Sequence, residues 1–176
     1  MSYMSAGVEY GLHCLLYLTR SDDVASEASV RDLAELQGVP GEFLAKLFTK
    51  LAKAKLLTAT EGIKGGFRLA RPANQISVHD VIVAIDGEKS LFNCREIRGR
   101  CALFTEETPS WATQGVCSIH AVMLAAEQAM RNELKRHTLH DLAHQVAEKT
   151  PPAYGERIIQ WLSERNENRR GEKRRA

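Results

Sequence analysis

The sequence predicts a mainly α fold carrying one small β-hairpin: a winged helix-turn-helix domain followed by a long dimerisation helix. Three observations predict it. Two short amphipathic patterns meet at Gly38 and Pro40. A basic, alternating segment with the glycine-rich tip Gly62-Ile63-Lys64-Gly65-Gly66 follows at once. A stripe of residues at helical spacing then begins after Ile119.

In chain order, Val8, Leu12, Leu15 and Leu16 recur at helical spacing, so residues 5–19 read as an amphipathic first helix. Cys14 lies inside it and reads as a small buried hydrophobe. Ser29-Val30-Arg31-Asp32 opens a second helix with a capping signature, with Leu33 and Leu36 facing inward. Gly38 supplies a left-handed stop and Pro40 suits the first turn of a third helix, whose apolar positions are Phe43, Leu44, Leu47, Phe48 and Leu51. This pair is a helix-turn-helix candidate. The period then changes to two in Phe67, Leu69 and Arg71, after the β-favouring run Leu57-Thr58-Ala59-Thr60. Ser77-Val78-His79-Asp80 repeats the capping signature before a short apolar helix stopped by Gly87. Beyond a segment without periodicity, Met123, Ala126, Met130, Leu134 and His137 trace one stripe of a long helix. That stripe needs the wing domain or a second copy to cover it, and homodimerisation is the economical solution. The expected organisation is residues 1–88 for DNA binding, 89–118 as a cysteine-containing loop, 119–140 as the dimerisation helix and 141–176 as an extension. Within the extension a helix runs through Ser163, followed by a disordered basic tail.

The 176 residues are 44% hydrophobic, enough for a packed core. The run CLLYL is too short for a signal peptide or membrane span, which predicts a cytoplasmic protein without membrane contact. The formal charge of +2 is unevenly spread: residues 38–71 hold seven basic side chains against two acidic ones. On a recognition helix over 40–53, Gly41, Glu42 and Ala45 face base edges while Lys46, Lys50 and Lys53 lie near phosphates. Lys64 and Arg68 on the wing reach the flanking groove or its backbone. The competing reading of these charges is an ordinary solvated helix face.

The segment FNCREIRGRCALFTEETPSWATQGVCSIHAVM concentrates the chemistry. It holds Cys94, Cys101 and Cys117, with His120 completing a C-x-x-H phrase. Three thiols and an imidazole make a four-ligand set suited to an iron–sulfur cluster. The irregular intervals disfavour a structural zinc knuckle. Free thiols activated by Arg95, Arg98 and Arg100 are the alternative. No hydrolase triad, phosphate-cradling loop or catalytic carboxylate pair is present, so no enzymatic activity is expected.

The order of elements, the wing phrase GIKGGFRLARPA, the helix ISVHDVIVAIDG and the cysteines before a long helix together resemble the Rrf-two family of bacterial transcription regulators over residues 1–145. The resemblance implies a winged-helix homodimer on palindromic double-stranded promoter DNA. Three cysteines after the short helix are similar to the cluster-assembly and nitric-oxide-sensing members, in which an iron–sulfur cluster tunes operator affinity. GVEYGLHC and CREIR look closest to a redox-sensing subgroup, favouring 2Fe-2S over 4Fe-4S. Some members take a fourth ligand from C-x-x-H, which His120 matches, and others from an acidic residue in the partner's first helix, a place Glu9 occupies. The fifteen-residue gap between Cys101 and Cys117 departs from the family's closer spacing, and Gln37 stands where the redox-sensing subgroup has a histidine. The implied function is a cluster-switched repressor sensing redox state, iron–sulfur status or nitric oxide. The alternatives are a clusterless thiol- or small-ligand-responsive regulator on the same fold, and a small iron–sulfur electron carrier.

Overall fold

The computed structural model describes residues 3–19, 27–60 and 65–172, with side chains through residue 167. In chain order the elements are α1 (Ala6–Leu18), α2 (Val30–Gln37), α3 (Gly41–Lys53), β1 (Leu57–Ala59), β2 (Phe67–Leu69), α4 (Val78–Asp86), α5 (Ser110–Thr113), α6 (Ser118–Arg136), α7 (Leu139–Lys149) and α8 (Pro152–Glu172). They divide into two compact units, Met1–Gly87 with Leu134–Ala176, and Glu88–Glu133.

The first unit is built on apolar burial. Leu15, Leu33, Leu44, Phe48, Leu51, Ile76, Val81 and Leu139 are all fully buried in one core. The helix α1 lies close against α4: a Cβ on Gly11 would stand 2.5 Å from Ile85 Cδ1 and would push that methyl aside. Ser29 caps α2 by accepting from the Asp32 amide at 3.1 Å, and its hydroxyl donates to the buried Asp32 carboxylate at 2.7 Å. Gly38 ends α2 at φ 71°, the left-handed conformation that favours glycine. The α3 face of Leu44, Leu47, Phe48 and Leu51 then enters the core. Phe43, one of the apolar positions of the α3 pattern, is 40% exposed and meets Tyr10 edge-on at 5.9 Å.

Strands β1 and β2 pair antiparallel with Leu57 opposite Leu69, Thr58 opposite Arg68 and Ala59 opposite Phe67. Phe67 also exchanges backbone hydrogen bonds with Ala28. This explains Gly66 at the base of the hairpin, since a Cβ there would lie 2.9 Å from the Ala28 carbonyl oxygen. Arg71, read as part of the alternation, lies past the strand and pairs with Asp80 at 3.0 Å. Asp80 closes a capping box with Ser77 at the start of α4.

The stripe read through His137 ends as a helix at Arg136, and α7 begins at Leu139. Thr138 breaks the run by accepting from the Asp141 amide, while the Asp141 carboxylate accepts from the Thr138 amide. Backbone bonds from Val78 to His137 and from Leu139 to Ile76 pin this junction to the start of α4. The helix expected to stop at Ser163 continues to Glu172. It buries Ile158, and both terminal nitrogens of Arg165 donate to Glu35 of α2. Residues 173–176 of the expected disordered tail lie outside the described residues.

The second unit holds α5, most of α6 and an irregular chain between α4 and α5. Of its residues only Ala112 is buried. Polar ties dominate instead: the Leu91 amide donates to Glu127 at 2.9 Å, and Glu127 pairs with Arg131 one turn further on at 2.8 Å.

Candidate functional site

Helix α3 presents an exposed strip formed by Gly41, Glu42, Ala45, Lys46, Thr49 and Lys53, opposite its buried face. The strip follows directly from ~3.6 residues per turn, because positions three and four apart stack on one side. Thr49, at the centre of the strip, was missed by sequence reasoning based on charge alone; its hydroxyl donates to the Ala45 carbonyl at 2.9 Å. Lys50 sits at the strip's edge and its ammonium donates to the Ile85 carbonyl at 2.6 Å, in the last turn of α4. It therefore ties α3 to α4, a role that helical spacing does not reveal. Arg68 is exposed on β2, and Lys64 lies outside the described residues.

The four cysteines fall into distinct environments. Cys14 is fully buried in the core, where desolvation pushes its thiol up to about 12, as suits an inert packing residue. Cys94 and Cys117 are half-buried and Cys101 is exposed. Cys117 immediately precedes α6, and its carbonyl accepts from the Ala121 amide at 2.8 Å, which makes it the helix's N-terminal cap position. His120 is therefore in the first turn of α6, three residues on, and packs against Phe92 with ring centroids 6.0 Å apart.

Arg98 organises the segment. Its guanidinium donates to both oxygens of Glu96, at 2.6 and 2.8 Å, and to the carbonyls of Thr113 at 3.1 Å, Gln114 at 3.3 Å and Gly115 at 2.9 Å. The Glu96 hydrogen bond is the main cause that raises the Arg98 pKa above its ordinary value, with the Cys117 and Cys94 thiols adding electrostatically. The same bond holds Glu96 below the usual carboxylate range, with His120 adding a smaller pull. Arg98 therefore links the turn that follows Cys94 to the carbonyls that precede Cys117 and His120. Two thiols and an imidazole suit iron or an iron–sulfur cluster chemically. Among the described residues no three His, Cys, Asp or Glu side chains already gather as a closed metal site.

Glu9 is exposed on α1, on the rim of a groove of about 650 Å³ lined by apolar residues of α1 and α7, among them Val8, Leu12, Leu142 and Val146. Gln37 accepts a hydrogen bond from the Tyr17 hydroxyl at 2.7 Å, so this side chain is committed within the first unit.

A family model described as "Iron-dependent Transcriptional regulator", Rrf2, matches residues 4–145. The chain belongs to the Rrf2 family. Solved structures agree on the fold. CymR, the global cysteine regulator of B. subtilis, is 21% identical with a TM-score of 0.64, over 82% of this chain and 98% of that one. T. potens IscR is 23% identical with a TM-score of 0.63, over 85% and 92%. Staphylococcus aureus CymR is 24% identical with a TM-score of 0.57, over 79% and 96%. Rrf2 members are DNA-binding transcriptional regulators rather than enzymes, and they typically act as dimers. Among the described residues no helix is long and apolar enough to cross a membrane.

Proposed function

We propose that this Rrf2 regulator is a homodimeric repressor of a palindromic promoter site whose affinity is switched by an iron–sulfur cluster, 2Fe-2S in preference to 4Fe-4S. The observation that carries this reading is that Arg98 ties the Glu96 turn, two residues after Cys94, to the 113–115 carbonyls, just before Cys117 and His120 at the head of α6. Cys94 and Cys117 are the primary ligands. Cys101 is the third, and His120, or Glu9 from the partner, supplies the fourth. The bound cluster would supply a centre reactive toward oxidants and nitric oxide.

The chain's own residues give the switch its route. Cys117 and His120 occupy the start of the helix proposed to pair with a second copy, where Ile119 and Val122 are 63% and 66% exposed. Ligation by residues on this helix constrains how it enters the dimer contact, and so the spacing of the two α3 strips across successive major grooves. A coupling of ~1–3 kcal/mol between the two ligation states changes DNA affinity about 5- to 150-fold. On the DNA side, Gly41, Glu42, Ala45 and Thr49 face base edges, while Lys46, Lys53, Arg68 and Lys64 answer phosphates.

The test is the visible spectrum of anaerobically purified protein, with iron and acid-labile sulfide assayed on the same sample, beside a Cys94→Ala/Cys117→Ala double variant. The expectation is charge-transfer bands with stoichiometric iron and sulfide, absent from the double variant. Intact iron and sulfide in that variant would remove the assignment. A colourless wild-type protein that cannot be reconstituted would move the switch to thiol or small-ligand chemistry on the same DNA-binding scaffold.

A further inference from the structure

The long interval between Cys101 and Cys117 is folded back on the chain that precedes it. Thr108 donates to the Gly99 carbonyl at 3.0 Å, Phe104 meets Trp111 edge-on at 5.8 Å, and Arg98 reaches three consecutive carbonyls at 113–115. Arg98 does this while gripping Glu96 two residues earlier. Glu96 itself sits at φ 45°, a left-handed conformation uncommon for a residue with a side chain, and Gly115 sits at φ 67°. Both ends of the interval therefore turn sharply, and a single guanidinium closes the two turns together. Cys94 lies two residues before Glu96 and Cys117 two residues after Gly115. At ~3.6 Å per residue at most, each cysteine Cα stays within about 7 Å of the residue that Arg98 holds. Cys101 lies on the far side of the helical turn Arg98–Arg100 and is exposed.

We propose that Arg98 is the positioning residue of the cysteine centre, a buckle that ties the 96–98 turn to the 113–115 carbonyls and holds Cys94 and Cys117 as a preformed two-thiol half-site without Cys101. The second unit has almost no apolar core, so this polar closure is what keeps two half-buried thiols together before any ligand arrives. The fork matters more than the charge. A planar guanidinium addresses a carboxylate bidentately and several carbonyls at once, whereas a lysine ammonium is one point charge on a flexible stem. The proposal rests on the cluster reading for its purpose, but the half-site can be measured without a cluster.

The experiment uses the full-length chain with Cys101→Ser, leaving Cys94 and Cys117 as the reactive pair because Cys14 is sealed in the core. Arg98→Ala and Arg98→Lys are built in that background, and a short bifunctional thiol reagent is applied to the metal-free reduced proteins. The expected result is rapid Cys94–Cys117 crosslinking with Arg98, slowed at least fivefold in both variants. In parallel, with Cys101 restored, anaerobically reconstituted Arg98→Ala and Arg98→Lys proteins should lose iron to a chelator at least fivefold faster than wild type. Unchanged crosslinking in Arg98→Ala overturns the buckle, and full recovery of crosslinking by Arg98→Lys overturns the claim that fork geometry is needed. If wild type takes up no cluster but the crosslinking difference stands, the cluster reading has failed and the buckle has not.

Discussion

The two units of this Rrf2 regulator are held by different physics. Residues 1–87 with 134–176 enclose a core in which Phe48, Leu15, Leu33 and Leu51 have no exposed surface. Residues 88–133 bury only Ala112, while Leu103 and Trp111 are 84% and 70% exposed. Burying an apolar side chain contributes ~1.5–3 kcal/mol, and a typical internal hydrogen bond nets ~0.5–1.5. The first unit is therefore rigid by packing and suited to presenting a fixed reading surface. The second is shaped by Arg98, Glu127 and backbone carbonyls, and leaves most of its large apolar side chains exposed.

The largest expected effect tests this contrast directly. Phe48 is fully buried and meets Phe67 edge-on at 5.3 Å. Phe48→Ala should cost ~3–5 kcal/mol of unfolding free energy. Trp111→Ala should change the same quantity by under ~0.5 kcal/mol, since an exposed side chain loses little on truncation. Urea unfolding at low protein concentration measures both. A Trp111 loss comparable to that of Phe48 would break the contrast, and a Trp111 loss that grows with protein concentration would sharpen it by placing that lobe in a contact between copies.

A smaller effect separates the lysines proposed to meet DNA phosphates from the one that bonds Ile85. Lys46 and Lys53 are exposed on the α3 strip, whereas Lys50 donates to Ile85. Replacing Lys46 or Lys53 with Ala should lower the slope of log affinity against log salt by about 1 each, through loss of one phosphate contact. Lys50→Ala should leave the slope alone and lower stability instead. Binding to promoter DNA titrated across several salt concentrations checks this, and a slope change for Lys50 equal to that for Lys46 would show that it leaves Ile85 to meet the backbone.

How much of this was legible in the sequence follows the same division. Where local chemistry sets geometry, the reading was direct: Ser29 and Ser77 cap helices, Gly38 is left-handed, and the β1–β2 hairpin follows α3. Helix α7 was missed although Thr138-Leu139-His140-Asp141 carries the same capping signature, because the stripe through Leu134 and His137 masked the break. Gly66 looked like hairpin flexibility and is a close-approach position against Ala28, a contact made across a long sequence separation. Lys50 and Arg98 were both read as members of charge clusters. Their actual partners are carbonyls of residues 85 and 113–115, which no periodicity encodes. Three cysteines and a histidine were visible as candidates, but the tie that Arg98 makes between the chain beside Cys94 and the chain beside Cys117 runs through tertiary hydrogen bonds that no spacing encodes.

The smallest expected effect asks whether polar closure also shapes the first unit. Asp141 has its carboxyl held below the ordinary range, chiefly by the Thr138 amide, with the Thr138 hydroxyl and His140 adding to the effect. A carboxyl whose folded pKa is depressed binds protons more weakly in the folded chain than in the unfolded one. Its stabilising contribution is thus fully present above the unfolded value of about 3.9 and is lost as pH falls through the lower folded value. The cap of α7 should accordingly weaken only below about pH 4. Asp141→Asn should reduce stability at neutral pH and flatten that acid limb, leaving the two proteins alike once Asp141 is protonated. Thermal unfolding from neutral to acid pH tests this. If the loss from Asp141→Asn stayed constant across the range, the cap would act through shape rather than charge. Since Leu139 is fully buried one residue after Thr138, the apolar core rather than the capping box would then fix where α7 begins.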